Sequence, residues 1–388
     1  MAIGGFGQFR QLAIAFAAVS AFLNLYSPQA VLPLLAAEFG VGPGQVSMTL
    51  TACTLAVALM APFAGAAADV LGRKRVIVGA MLMLAIPTLL VALAPDLPSL
   101  ILWRFVQGLF LPPIFAITIA YIGEEWPPAE ATAMTGMYTA AAGFGGFLGR
   151  FLTGVSADWL GWRGAFAIDA VLTLVLAIGV LLLLPRERRF VRASDLGAAL
   201  RQMVRHLRNP RLLATYAVGF GVLFNFIALF TYINFVLAAP PYNLSAALLG
   251  SVFVVYLLGS ALTPFTGRAI ARYGRRAFVI GALAVWACGV ALTLLPSLIA
   301  IVAGLAICAG AGFLCQASST SYVAVSAREG ASAAVGLYVT AFYVGGSVGA
   351  ALGGAAWSVG GWPGVVVLCW IILAVMAAMV TLAWPRTR

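Results

Sequence analysis

Four side chains sit where a chain this apolar can least tolerate them: Arg104 and Gln107 in ILWRFVQGLF, Arg150 in GGFLGRFLTG and Asp169 in AFAIDAVLTL. An ionisable group in hydrocarbon is costly, so it faces a polar interior or a partner and marks an ion or substrate path by default. Arg104 and Gln107, three apart, share one helix face. A guanidinium stays charged and can counter an anion. Asp169 is the one acid well inside an apolar stretch, which makes it the first candidate for taking and releasing a proton. Arg150 and Asp169 lie at similar depth on consecutive stretches, so a purely structural Arg–Asp pair is an equal reading.

Other chemistries find little support. The five cysteines, Cys53, Cys288, Cys308, Cys315 and Cys369, lack paired spacing and read as small apolar packing residues. No metal site is expected from them. His206, the sole histidine, stands among arginines in a polar segment and reads as solvated. There is no GxxxxGK[ST], and the glycines Gly143, Gly145 and Gly149 lack the strand-turn-helix setting of a nucleotide loop. Asn243-Leu244-Ser245 reads as the cap of the following helix rather than a glycan site.

These groups are positioned by a membrane framework. Of 388 residues, 63% are hydrophobic and 9% charged, against about 25% charged in soluble domains. A span takes roughly 20 apolar residues. Twelve such runs begin near residues 11, 45, 75, 99, 132, 163, 212, 244, 277, 297, 334 and 363. The first is too long for a secretory signal and lacks a small-x-small cleavage site, so it reads as a helix. With the N-terminus inside, 19 of 22 basic residues face the cytoplasm, and Arg163 lies outside. This places both termini in the cytoplasm. The net charge of +11 is thus topological, and nucleic acid is not an expected partner.

Residues 136–164 recur without a gap as 336–364, keeping Gly136/Gly336, Tyr138/Tyr338, Gly145/Gly345, Gly149/Gly349 and Gly161-Trp162/Gly361-Trp362. Gly65, Gly72 and Arg73 reappear as Gly267, Gly274 and Arg275. A parallel duplication in a membrane protein puts the functional site between its halves. The expected domains are an N-terminal bundle over 1–184, a cytoplasmic connection over 185–210, and a C-terminal bundle over 211–388. The connection carries an amphipathic set, Leu196, Leu200, Met203, Val204 and Leu207, suited to a membrane surface. Glycines at four-residue spacing (Gly145/Gly149, Gly345/Gly349, Gly349/Gly353) allow close helix approach. The Pro112-Pro113 pair is expected to break span 4.

The segment GAAADVLGRKR resembles the signature loop of the major facilitator superfamily, GxxxDxxGRKx, with Gly65, Asp69, Gly72, Arg73 and Lys74 in register and a weaker copy at Gly267, Gly274 and Arg275. Leu100, Arg104, Gln107 and Gly108 are similar to the LxxxRxxQG motif of its drug:proton antiporter branch. Span 5 departs from that branch, carrying Met137, Ala141 and Ala142 where Gly, Gly and Pro are usual, which sets antiport apart from fold.

The resemblance implies an all-α polytopic protein of a bacterial inner membrane, with twelve transmembrane helices in two pseudo-symmetric six-helix bundles, not an enzyme and needing no cofactor. It implies a gate at Asp69 and Arg73, and a cavity walled by spans 1, 4, 7 and 10. The cavity candidates are Asn24, Tyr26, Gln29, Thr118, Asn225, Tyr232, Asn234, Gln316 and Ser319; Arg104, Gln107, Arg150 and Asp169 are the coupling candidates. The expected activity is efflux of a small organic compound in exchange for protons by a functional monomer in the lipid bilayer, driven by the proton gradient. A uniporter or importer of a neutral or anionic metabolite, and a scaffold or sensor without transport, stand as alternatives. Asp69 matches Ala271, and Arg150 matches Ala350, so gating and coupling are expected in the first copy and mainly cavity wall in the second.

Overall fold

Apolar runs of this length can satisfy their backbone polar groups in lipid only internally, so they close into helices. The structure, a computed structural model, describes residues 3–187, 205–327 and 331–385, with side chains described except at 3–7, 65–67, 69, 70, 128, 129, 324, 331 and 332. The amphipathic positions 196, 200, 203 and 204 fall outside the described residues, as do the side chains of Gly65 and Asp69.

The helices are α1 (Ile3–Tyr26), α2 (Leu32–Phe39), α3 (Pro43–Val46), α4 (Met48–Leu71), α5 (Arg73–Ala92), α6 (Leu97–Glu125) and α7 (Pro128–Leu183). There follow α8 (Pro210–Ala238), α9 (Ala246–Val252), α10 (Val255–Ala261), α11 (Thr266–Tyr273), α12 (Arg275–Leu292), α13 (Leu298–Ser326) and α14 (Ala331–Ala383). No strand occurs among the described residues.

Among the described residues ten helical runs are long and apolar enough to span a bilayer, two of them of 54 and 51 residues. A straight helix of that length would reach about 75 Å, more than twice a hydrocarbon core of about 30 Å. Each instead folds on itself at a glycine of positive φ, Gly161 (φ 68°) in α7 and Gly361 (φ 58°) in α14. Ten runs, two of them doubled, make twelve spans. The backbone there enters a region that side chains with a Cβ avoid, which is why the repeat keeps glycine at both places.

By contact grouping the chain forms two units. One comprises Met1–Phe39, Ala52–Ser194 and Ser245–Ser251; the other comprises Gly40–Thr51, Asp195–Leu244 and Val252–Arg388. The duplicated small-residue motif does the same work in each. In the first unit, a Cβ on Gly145 or Gly149 would collide with the α1 backbone at Val19 or Leu23. In the second, Gly345 and Gly349 meet α8 in the same way at Phe220 and Phe224. Backbones thus approach more closely than any side chain allows. The second unit also packs an aromatic core in which Phe226 meets Tyr256, Trp286 and Phe313 in tilted contacts at 5.3–5.4 Å between centroids.

One expectation is corrected: α6 runs unbroken through Pro112 and Pro113. Proline's fixed φ is itself helical, and two adjacent prolines remove only two ladder bonds, so the following turns continue the helix.

Candidate functional site

Arg104 lies on α6 with no solvent exposure, and its guanidinium is spent within the first unit. It donates to the carbonyls of Asn24 and Leu25, each at 2.7 Å, and to Oε1 of Gln107 at 2.6 Å. Those carbonyls are available because α1 ends at Tyr26 and gives way to a 3-10 turn over Ser27–Val31, leaving its last acceptors without helical donors. Gln107 passes the connection on, Nε2 donating to Thr88 Oγ1 at 2.7 Å. Thr88 Oγ1 is 2.8 Å from Asn24 Oδ1 and 2.7 Å from the Leu84 carbonyl, its own helix's acceptor one turn back. Asn24 Nδ2 donates to Ser20 O and, at 2.7 Å, to Thr173 Oγ1, which itself donates to the Asp169 carbonyl.

A continuous polar chain therefore runs from Arg104 on α6 through Gln107, Thr88 on α5, Asn24 on α1 and Thr173 to the main-chain carbonyl of Asp169 on the second arm of α7. Gly108 lets α6 lie against α4, since a Cβ there would strike the Cys53 carbonyl oxygen. Arg104 is thereby held deep in the bundle.

Asp169 is fully buried. Thr153 donates to its Oδ2 at 2.8 Å. Its Oδ1 has no hydrogen bond of standard geometry, although the Ser27 hydroxyl is close enough to interact, and the cation acting on it is Arg104. Arg150, 3% exposed, turns elsewhere: Nε donates to Gln29 Oε1 at 2.6 Å and an NH group to Gly146 O at 2.8 Å, while the guanidinium lies 4.2 Å over the Tyr26 ring. The coupling candidates thus form two groups, Arg104 with Gln107 and Asp169, and Arg150 with Gln29 and Tyr26. Thr88, Thr153 and Thr173 belong to the first group and were not anticipated. A threonine in an apolar helix can satisfy itself on the carbonyl four residues back, so its sequence context carries no signal.

At the arginine-rich end of α5, Gly72 has φ 90° and ψ 152°, which turns the chain from α4 directly into α5. The Glu187 carboxylate covers the exposed first amides of α5, accepting from Arg73 N at 3.0 Å and Lys74 N at 3.3 Å. The Arg73 side chain forks onto Glu124 at the end of α6, at 2.8 and 3.1 Å. In the second unit Gly274 repeats the backbone, with φ 78° and ψ 147°. There Arg275 binds the Ser318 carbonyl at 2.5 Å and the Ser321 hydroxyl at 2.7 Å. Gly267 lies on α11 with open space around it.

The remaining cavity candidates are placed as follows. Thr118 bonds its own helix at Ile114 O. Asn225 is buried, donating to Gly221 O and contacting Met376 S. Tyr232 donates to Ala350 O and stands 2.6 Å from the Ser47 hydroxyl, and Asn234 donates to Phe230 O. Ser319 lies 2.8 Å from the Tyr338 hydroxyl, and Gln316, one turn before Thr320 on α13, is partly exposed. No group of His, Cys, Asp and Glu suited to a metal occurs among the described residues.

The family model for the Major Facilitator Superfamily matches residues 14–240 and 223–388. The chain is 31% identical over 364 residues to the inner membrane transport protein YnfM of Escherichia coli strain K12, covering 93% of this chain and 87% of that one. It is 31% identical over 166 residues to the puromycin resistance protein pur8 of Streptomyces alboniger, covering 42% of this chain and 33% of the relative. Among solved structures, a bacterial homologue of the human lysosomal transporter Spinster superposes with a TM-score of 0.79 at 17% identity, over 97% of both chains.

Proposed function

The chain belongs to the Major Facilitator Superfamily, a family of transporters and not of enzymes, and on that premise we propose that it exports a small organic compound in exchange for protons. It is a multi-pass membrane protein that moves a small-molecule substrate. The proton gradient is its energy source in this reading, and Asp169 is the group that carries the proton. The supporting observation is the burial of the Asp169 carboxyl beside Thr153, next to a polar chain that runs from Arg104 through Gln107, Thr88, Asn24 and Thr173 to the main-chain carbonyl of the same residue. A carboxyl group buried beside hydroxyls and within reach of a fixed guanidinium can change its protonation while its neighbours reorient to suit either form. The Asn24 and Leu25 carbonyls taken by Arg104 lie at the end of α1, so a change in the charge of Asp169, on which Arg104 acts, is felt where that helix ends. The resistance named for the Streptomyces relative supports efflux as the direction.

Proteoliposomes loaded with puromycin as first probe, and with further compounds found by thermal-shift screening at two pH values, test the reading. Wild type accelerates export when an opposing pH gradient is imposed. Asp169→Asn exports at one rate with or without the gradient yet retains counterflow exchange. If wild type itself moves solute equally in both conditions, proton coupling is wrong. The uniporter reading, favoured by Met137, Ala141 and Ala142 in span 5, then takes its place.

A further inference from the structure

A cleft of about 610 Å³ opens within the first unit between the start of α5 and the end of α7, lined by Lys74, Arg75, Arg186 and Glu187 at its mouth and by Val78, Leu82 and Leu181 further along. Its two ends differ in chemistry. The mouth holds three cations and one anion, and both Glu187 oxygens are already engaged on the α5 amides. Among the described residues none of Lys74, Arg75 and Arg186 forms an ion pair; the pairs are Arg10 with Glu125, Arg73 with Glu124 and Arg163 with Glu38. The mouth therefore carries surplus positive charge at the edge of an apolar span. Beyond it the wall is aliphatic, and at Gly79 a Cβ would meet nothing within 4 Å, which leaves an open notch one helical turn past Arg75. Leu71, 56% exposed, and Leu181, 43% exposed, carry the apolar wall out to the surface that faces lipid. A small soluble anion would use the mouth and waste the rest; a solute without charge would use only the notch.

We infer that this cleft binds one anionic phospholipid, its phosphate between Lys74, Arg75 and Arg186 and one acyl chain along Val78, Gly79 and Leu82. Charge complementarity fixes the headgroup, and juxtamembrane basic residues attract anionic lipid strongly at this depth. The bound lipid lies beside Gly72 and the Arg73–Glu124 pair, so its presence biases the same turn that the signature loop forms.

The test uses the full chain purified in detergent, titrated with dioleoylphosphatidylglycerol or dioleoylphosphatidylcholine and read by native mass spectrometry and thermal shift. Wild type retains one phosphatidylglycerol about tenfold more tightly than phosphatidylcholine. K74Q/R75Q/R186Q loses that preference. Gly79→Leu, whose Cβ enters open space, loses retention of the lipid while keeping the charges and, in the lipid-free melt, the wild-type unfolding temperature. R268Q/R272Q/R276Q, which removes three cations from the other unit, keeps the preference. Four results overturn the proposal: equal retention of both lipids by wild type; undiminished retention by Gly79→Leu; equal loss in the R268Q/R272Q/R276Q control; or displacement of the lipid by millimolar glycerol 3-phosphate or inorganic phosphate, which would make the cleft a site for soluble anions.

Discussion

Thr88→Val is the sharpest probe of the polar chain. The substitution keeps the β-branched shape and its rotamer preference on α5, so what changes is the polar group. What it removes is one hydroxyl that accepts from Gln107 Nε2 at 2.7 Å and stands 2.8 Å from Asn24 Oδ1. Two links of the chain break together. Hydrogen bonds between spans contribute about 0.6 kcal/mol on average and at most about 1.7, so the variant is expected to lose roughly 1–3 kcal/mol. Thr88→Ser, which keeps the hydroxyl, should recover most of it.

Stability is read by reversible denaturation of the purified protein in mixed micelles, in a double-mutant cycle that pairs Thr88→Val with Gln107→Leu. Partners in one hydrogen-bond network show coupling of about 0.5 kcal/mol or more, whereas independent sites add to within about 0.3–0.5. A cycle that closes additively, or a Thr88→Ser variant no better than valine, would refute the chain as an energetic unit. It would then be a set of separate bonds, and a change at one end would not be felt at the other.

Gly149→Ala is expected to cost roughly 1–3 kcal/mol by forcing α1 away at Leu23, while Gly136→Ala, with open space around it, costs nothing or stabilises slightly; thermal unfolding of the two variants side by side decides it. Gly72→Ala and Gly274→Ala should each lose about 1–3 kcal/mol, because φ of 90° and 78° with extended ψ is a region essentially reserved for glycine; unfolding midpoints unchanged in both would show the turns to be unstrained. The Asp96 cap on α6 predicts a pH effect outside the membrane. Hydrogen bonds from the Ser99 side chain and amide hold the Asp96 carboxyl below its ordinary value of 3.8, so its contribution is present above that value and is lost as pH falls through the lowered one. Asp96→Asn, which still caps the helix, should flatten this acid-side loss in a melting-temperature series.

How much of this was legible in the chain varies by residue type. Arg104 and Gln107 announce themselves, since a charge and an amide one turn apart in an apolar run have no cheap explanation. The glycines at 145, 149, 345 and 349 announce close packing through spacing and duplication, and the structure meets both with helix backbone. Twelve spans were countable, although the sequence alone does not say that the turns at Gly161 and Gly361 are tight enough to keep two arms in one helical run. Thr88, Thr153 and Thr173 were silent because a helical threonine has a self-contained use for its hydroxyl. The role of Glu187 was hidden for another reason: its partners, Arg73 and Lys74, are 114 and 113 positions away, and nothing local distinguishes it from the charged residues beside it. The pair Arg150 and Asp169 shows the opposite error, since similar depth on neighbouring helices suggested contact while their hydrogen bonds run to Gln29 and Gly146 in one case and to Thr153 in the other.

The turns at Gly72 and Gly274 are nearly superimposable in backbone but not in what their arginines hold. Arg73 grips a carboxylate that is about a third exposed, and Arg275 grips a carbonyl and a hydroxyl. An ion pair open to solvent weakens as counterions crowd around it, whereas a bond to a neutral carbonyl hardly notices them. The first copy therefore carries a clasp that ionic strength can loosen, and the second carries one that salt leaves alone. A duplicated backbone has in this way acquired one end that responds to its aqueous surroundings and one that ignores them.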